Sequence, residues 1–181
     1  MIILFVFLSL LIDVFVSTFI VSSFAWSNIV FIPMTSLLML LFMMMNNPDE
    51  QVLWFGFMVG LIVDLMNHTP LFSQAIIYVL VLIILREYQR HFSDTLLEIV
   101  LMGIIIIFLK EMMLFVLLEF IQEINMSVTS WYMSRLFVTL IGNIPFILVA
   151  YWLANKLNKQ IKRIETTKKR YETTLWGFLK D

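Results

Sequence analysis

Four ionisable side chains, Asp13, Asp64, Lys110 and Glu111, stand inside stretches that are otherwise apolar enough for a bilayer. Residues of these types can do two kinds of work there. Carboxylates and an amine held away from water can relay protons or bind an ion or small polar molecule, which is what intramembrane ionisable residues commonly mark. Paired with one another, the same groups can clamp helices together. An ionised carboxylate at the centre of a membrane helix costs roughly 2.5 to 3.5 kcal/mol on insertion scales, so each acid needs a partner or a purpose. Other chemistry has little to work with. His68 and His91 are far apart and have no carboxylate or cysteine at ligand spacing. Cysteine is absent, and no phosphate-cradling glycine loop, HExxH or nucleophile elbow occurs. The expectation is a non-enzymatic protein with no catalytic residue, cofactor, metal or nucleic-acid partner.

The elements that must position these charges follow from composition. With 61% hydrophobic residues, 14% charged residues and a mean hydropathy of +0.96 over 181 residues, the chain carries more apolar surface than a soluble domain of this size can hide. It reads as an all-α integral membrane protein. Six apolar segments can be marked: Ile2–Phe24, Ile29–Met45, Val52–Met66, Pro70–Leu85, Leu96–Ile121 and Trp131–Asn155. The first has no basic residue before it and no small-residue cleavage site after it, so it reads as a retained span. Thr69 and Pro70 read as an N-cap and first helical residue. The third segment spans only about 22 Å at 1.5 Å per residue, against a hydrocarbon core of about 30 Å. It reads as a short crossing, with re-entry as the alternative.

Basic residues set the orientation. Lys156, Lys159, Lys162, Arg163, Lys168, Lys169, Arg170 and Lys180 follow the last segment, and Arg86 and Arg90 separate the fourth from the fifth. Six crossings put both groups, and both termini, on the cytoplasmic side of the membrane. With a re-entrant third segment there are five crossings and the N-terminus lies outside. The chain divides into a transmembrane domain, residues 1–155, and a tail, residues 156–181. Leu157, Ile161, Ile164, Tyr171, Leu175 and Phe178 recur at helical spacing through the tail, the pattern of a basic amphipathic helix. Lys159, Lys162, Arg163, Lys168, Lys169, Arg170 and Trp176 would hold it against anionic lipid.

Depth counting along the spans puts Asp13, Asp64 and Lys110 at about 16, 18 and 22 Å from the inner face. They share a layer, and the economical expectation is that Lys110 neutralises Asp64, Asp13 or both. Glu111 lies about 100° round the helix from Lys110, so the two are not expected to share a face. Glu119 and Arg135 would pair at the outer rim. A structural clamp is favoured over a relay, because acids and bases balance and no polar chain leads to both surfaces. Gly56, Gly60 and Asp64 recur every four residues on one face of the third segment, a spacing that lets helix backbones approach closely and could dock a partner span. Asn143 and Pro145 mark a kink in the sixth.

The run Gly60 to Arg86, GLIVDLMNHTPLFSQAIIYVLVLIILR, resembles the rod shape-determining protein MreD family. Gly60, Asp64, Thr69, Leu71 and Ala75 fit its pattern; His68 and Phe72 replace glycines, Gln74 stands where a histidine is frequent, and Met34, after Pro33, where an aspartate is common. The resemblance implies a membrane scaffold of the bacterial elongation machinery. Its partners would be an MreC-like single-span protein, the MreB filament and peptidoglycan synthases of the lateral wall. The family is also distantly similar to substrate-binding subunits of energy-coupling-factor vitamin transporters, which leaves a small-molecule binder as the alternative. Asn67, His68, Gln74 and Asn125 could line such a pocket.

Overall fold

Long runs of Leu, Ile, Phe and Met with few glycines and prolines satisfy their backbone groups locally, and no strand occurs among the described residues. The computed structural model describes residues 2–19, 31–46, 50–67, 69–88, 95–122 and 127–178. Within them lie α1 (Ile2–Phe19), α2 (Thr35–Asn46), α3 (Glu50–Asn67), α4 (Ser73–Tyr88) and α5 (Leu96–Phe120). There follow α6 (Val128–Trp131), a π-helical turn (Tyr132–Leu136), α7 (Phe137–Gly142) and α8 (Ile144–Phe178). The all-α expectation holds.

Two helices start later than the hydropathy pattern suggests, for the same reason. Residues 31–34 are non-helical and α2 begins only at Thr35, not near Ile29. Pro70 to Phe72 form a turn whose Pro70 carbonyl accepts both the backbone N–H and the hydroxyl of Ser73, so α4 begins at Ser73. The expected cap at Thr69 and Pro70 is therefore displaced. Both helices begin where a carboxylate from the preceding helix receives their first N–H groups. Helix α5 is capped by Thr95, whose hydroxyl oxygen accepts the Glu98 N–H at 3.4 Å.

Contacts between named residues give the directions of the helices. Asp64 meets Gln74, Gly60 lies against Ala75 and Gly56 against Leu82, so α3 and α4 are antiparallel. Phe115 packs against Trp131, Glu111 meets Arg135 and Gly103 meets Ile147, so α5 runs antiparallel to the whole α6 to α8 limb. Asn143 meets Met34 and Tyr151 meets Phe42, a constant offset that makes α2 and α8 parallel. Helix α2 is the axis of the body: Met34 to Met44 are buried without exception.

The outer faces invert the usual pattern. Phe7, Phe15, Trp54, Leu65, Val116, Phe120 and Trp152 are each well over half exposed. Helix α5 is long and apolar enough to cross a membrane, and Val128–Gly142 with Ile144–Ile161 meets the same standard as one span bent by 41°. Helices α1, α2 and α3 are apolar but shorter. The bend falls at Asn143, one residue before α8 and two before Pro145. Helix α8 then continues unbroken past Asn155, so the basic tail extends the last limb as one helix of 35 residues.

Candidate functional site

Helix α1 carries Asp13 to the start of α2. Its carboxylate accepts the Thr35 N–H at 2.7 Å on Oδ1 and the Ser36 N–H at 2.8 Å on Oδ2. These are two of the orphan donors of a helix N-terminus, where the macrodipole also favours negative charge. Asp64 does the same between α3 and α4. Its Oδ1 accepts the Gln74 N–H at 2.9 Å and the Thr69 hydroxyl at 2.7 Å, and Oδ2 accepts the Ala75 N–H at 3.3 Å. The Asp64 carbonyl also takes the Thr69 N–H at 3.2 Å, which closes the α3–α4 turn. Both aspartates are buried, so each carboxylate exchanges water for backbone donors fixed by the fold.

The α3 glycines serve the same joint. A Cβ on Gly60 would fall 2.7 Å from the backbone nitrogen of Ala75, and one on Gly56 would lie 2.5 Å from Leu82 Cδ1. The face carrying Gly56, Gly60 and Asp64 therefore packs against α4 of the same chain. It is not an open docking face for a partner span.

Lys110 and Glu111 form a separate cluster. Lys110 Nζ donates to Glu111 Oε1 at 2.8 Å, and Arg135 Nε donates to Glu111 Oε2 at 2.8 Å. Three expectations are corrected together. Lys110 pairs with its own neighbour and not with an aspartate, because each aspartate already has helix-end donors. The 100° between Lys110 and Glu111 is bridged by the long lysine stem, since leaving either charge unpaired in the interior would cost more than bending that stem. Arg135 reaches Glu111 and not Glu119; it leaves the limb from the π-helical turn, where one extra residue per turn re-aims the side chains.

A third polar joint was only half legible. Asn143 Nδ2 donates to the carbonyls of Ile32 and Thr139, both at 2.8 Å, and its Oδ1 accepts the Met34 N–H at 3.0 Å. The amide thus holds the kink of the last limb against the non-helical approach to α2. Proline and asparagine together signal the kink; the partner lies 109 residues away and has no local signature.

Asp13 and Lys110 do come together around one small cavity. It has a volume of about 40 Å³ and is lined by Leu10, Asp13, Ser17, Ile32, Tyr78 and Lys110 among others. That is room for about three waters at 10 to 15 Å³ each. Tyr78 was not anticipated, and it sits on the α4 face that turns inward beside Ala75 and Leu82. Asp64 does not line this cavity. Among the described residues, no group of three or more metal-ligating side chains gathers. His68, His91, Arg90 and Asn125 lie outside the described residues, as do the side chains of Asn67, Lys162, Lys168, Lys169, Arg170 and Trp176. Of the tail, Lys159 and Arg163 are exposed.

The arrangement is chemically conservative. Asp13, Asp64, Lys110, Glu111 and Arg135 each meet a counter-charge or a helix end inside the chain, and the polar groups tie α1 to α2, α3 to α4, and α5 to the last limb. Comparison with protein-family models, with curated proteins and with solved structures finds no match.

Proposed function

We propose that this chain is a non-enzymatic, multi-pass membrane scaffold, acting in the bacterial cell-elongation machinery beside an MreC-like single-span protein. The observation that carries the reading is the engagement of Asp13, Asp64, Lys110, Glu111 and Arg135 within the chain. Such a network ties the helices into one body, with these five charges engaged inside the chain. One surface groove is apolar: it lies between α4 and α5 and is lined by Ile76, Leu80, Met112, Val116 and Phe120, a fit for a transmembrane partner helix rather than for a polar ligand. The resemblance in Gly60 to Arg86 supplies the identity of that partner. The MreB filament, peptidoglycan synthases and anionic lipid would be met at the rims.

The transporter-subunit alternative needs a pocket of about 300 to 1,000 Å³ with convergent polar groups. The cavity among the helices where Asp13, Tyr78 and Lys110 meet holds about 40 Å³. Native mass spectrometry of the protein purified from its own membranes tests the proposal. A retained single-span partner is the expected result. A retained vitamin-sized molecule, with no protein partner, would overturn the scaffold reading.

A further inference from the structure

A groove of about 720 Å³ lies between the start of α1 and the middle of α8. Leu4 and Phe5 line it from α1, and Lys156, Gln160, Arg163 and Ile164 from α8. The α8 residues fall at i, i+4, i+7 and i+8, a single helix face. Lys156 Nζ stands 4.9 Å over the ring of Trp152, one turn earlier, which places an aromatic and a cation together. That pairing is typical of the interface between hydrocarbon and headgroups. Two cations and an amide on one wall, with apolar side chains on the other, make an amphipathic slot.

From this lining we infer that the groove is a binding site for a single anionic glycerophospholipid. Its phosphate would sit between Lys156 and Arg163, its glycerol or ester oxygens near the Gln160 amide, and an acyl chain against Leu4 and Phe5. The two cations are about 10 Å apart along the helix axis, within reach of one headgroup from both sides. Basic pockets between helices at a cytoplasmic rim are where anionic headgroups are held specifically, as distinct from the diffuse attraction of a polybasic tail. Lys159 lies outside the lining. The site is therefore a property of the α1–α8 joint and not of total tail charge. The inference rests on the reading of this chain as a membrane protein.

The test uses the full-length protein in detergent, titrated with phosphatidylglycerol or with phosphatidylcholine of the same chains, with bound lipid counted by native mass spectrometry. Phosphatidylglycerol should be retained about thirtyfold better, the size expected from two basic contacts near a surface. Lys156→Gln with Arg163→Gln should abolish that preference. Lys159→Gln with Lys169→Gln, which removes the same charge from the same helix, should leave it. Lys156→Arg with Arg163→Lys should also keep it, with equal melting temperatures as the check on folding. Equal retention of both lipids, equal loss in the Lys159 and Lys169 variant, or equal displacement by free glycerol phosphate would each overturn the inference. Alkaline carbonate extraction separates the two readings. A protein that stays in the bilayer without lipid preference refutes the groove alone, whereas one released by carbonate refutes the membrane reading and the groove with it.

Discussion

At the scale of single residues, the buried triad is asymmetric. Glu111 is the one anion between two cations, fully buried, while Arg135 is 22% exposed. Removing Glu111 strands Lys110 without its counter-charge, the situation that typically costs about 3 to 5 kcal/mol. Removing Lys110 leaves Glu111 with Arg135. Glu111→Gln should therefore destabilise by several times more than Lys110→Met, read as the loss of melting temperature in detergent; equal losses would show that the triad is not held by Glu111. Gln122 offers the opposite sign. It follows α5 with φ 63°, its N–H donating to the Glu119 carbonyl at 3.0 Å, and its side chain is exposed. This is the left-handed position after a helix that glycine fills best. Gln122→Gly should raise stability by about 1 kcal/mol and Gln122→Val should lower it. Phe72, at φ 73°, has the same backbone. There the ring stacks on Phe57 with centroids 6.3 Å apart, so the gain in backbone freedom from Phe72→Gly is offset by the lost aromatic contact.

Between helices, the two α3 glycines look alike in sequence and differ in what they face. Gly56 meets Leu82 Cδ1, the far end of a side chain that can rotate away, while Gly60 meets the backbone of Gln74 and Ala75. A methyl at Gly60 must push α4 away from α3, stretching the bonds by which Asp64 holds the Gln74 and Ala75 N–H groups. Gly60→Ala should cost at least about 2 kcal/mol, in the range of overpacking damage, and Gly56→Ala less than about 1. Thermal unfolding of the two variants decides it, and similar losses would sink the distinction. This joint also marks how far the sequence could be read. The residues Gly60, Asp64 and Thr69 were visible as a unit because they repeat on one helix face and lead into a turn. The partner of Asp64 was not, because depth counting considers charged side chains as neutralisers and ignores the N–H groups of a helix that begins inside the body. The delayed starts of α2 and α4 were hidden for the same reason: hydropathy registers Ile29 to Met45 as one apolar run, whether or not residues 31–34 are helical.

For the whole molecule, the question is whether six crossings can be built from helices this short. Helix α2 has 12 residues and α4 has 16, about 18 and 24 Å at 1.5 Å per residue, against about 30 Å of hydrocarbon. Each is preceded by non-helical chain, and such backbone is tolerated at membrane depth only where protein covers it. Pro33 and Met34 are buried, and the Met34 N–H is taken by Asn143. The Asp13 cap would let α2 begin within a bilayer with its Thr35 and Ser36 donors satisfied, whereas Leu71 and Phe72 ahead of α4 are exposed. The directions agree with an alternating chain: α3 opposes α4, α5 opposes the last limb, and α2 runs parallel to that limb as the second and sixth crossings must. Because the chain has no cysteine, single cysteines report on this without background. With six crossings, a maleimide that cannot enter cells labels cysteine at Gln122 or Ser127 from outside, and labels Gln51, Glu87 or Lys159 only after permeabilisation. If α3 re-enters instead, the position at Gln51 moves outside while Glu87 and Lys159 stay within. External labelling at Gln51 would therefore rule out the six-crossing body and, with it, the inward-facing α1–α8 groove, since the N-terminus would then lie on the opposite side from the basic tail.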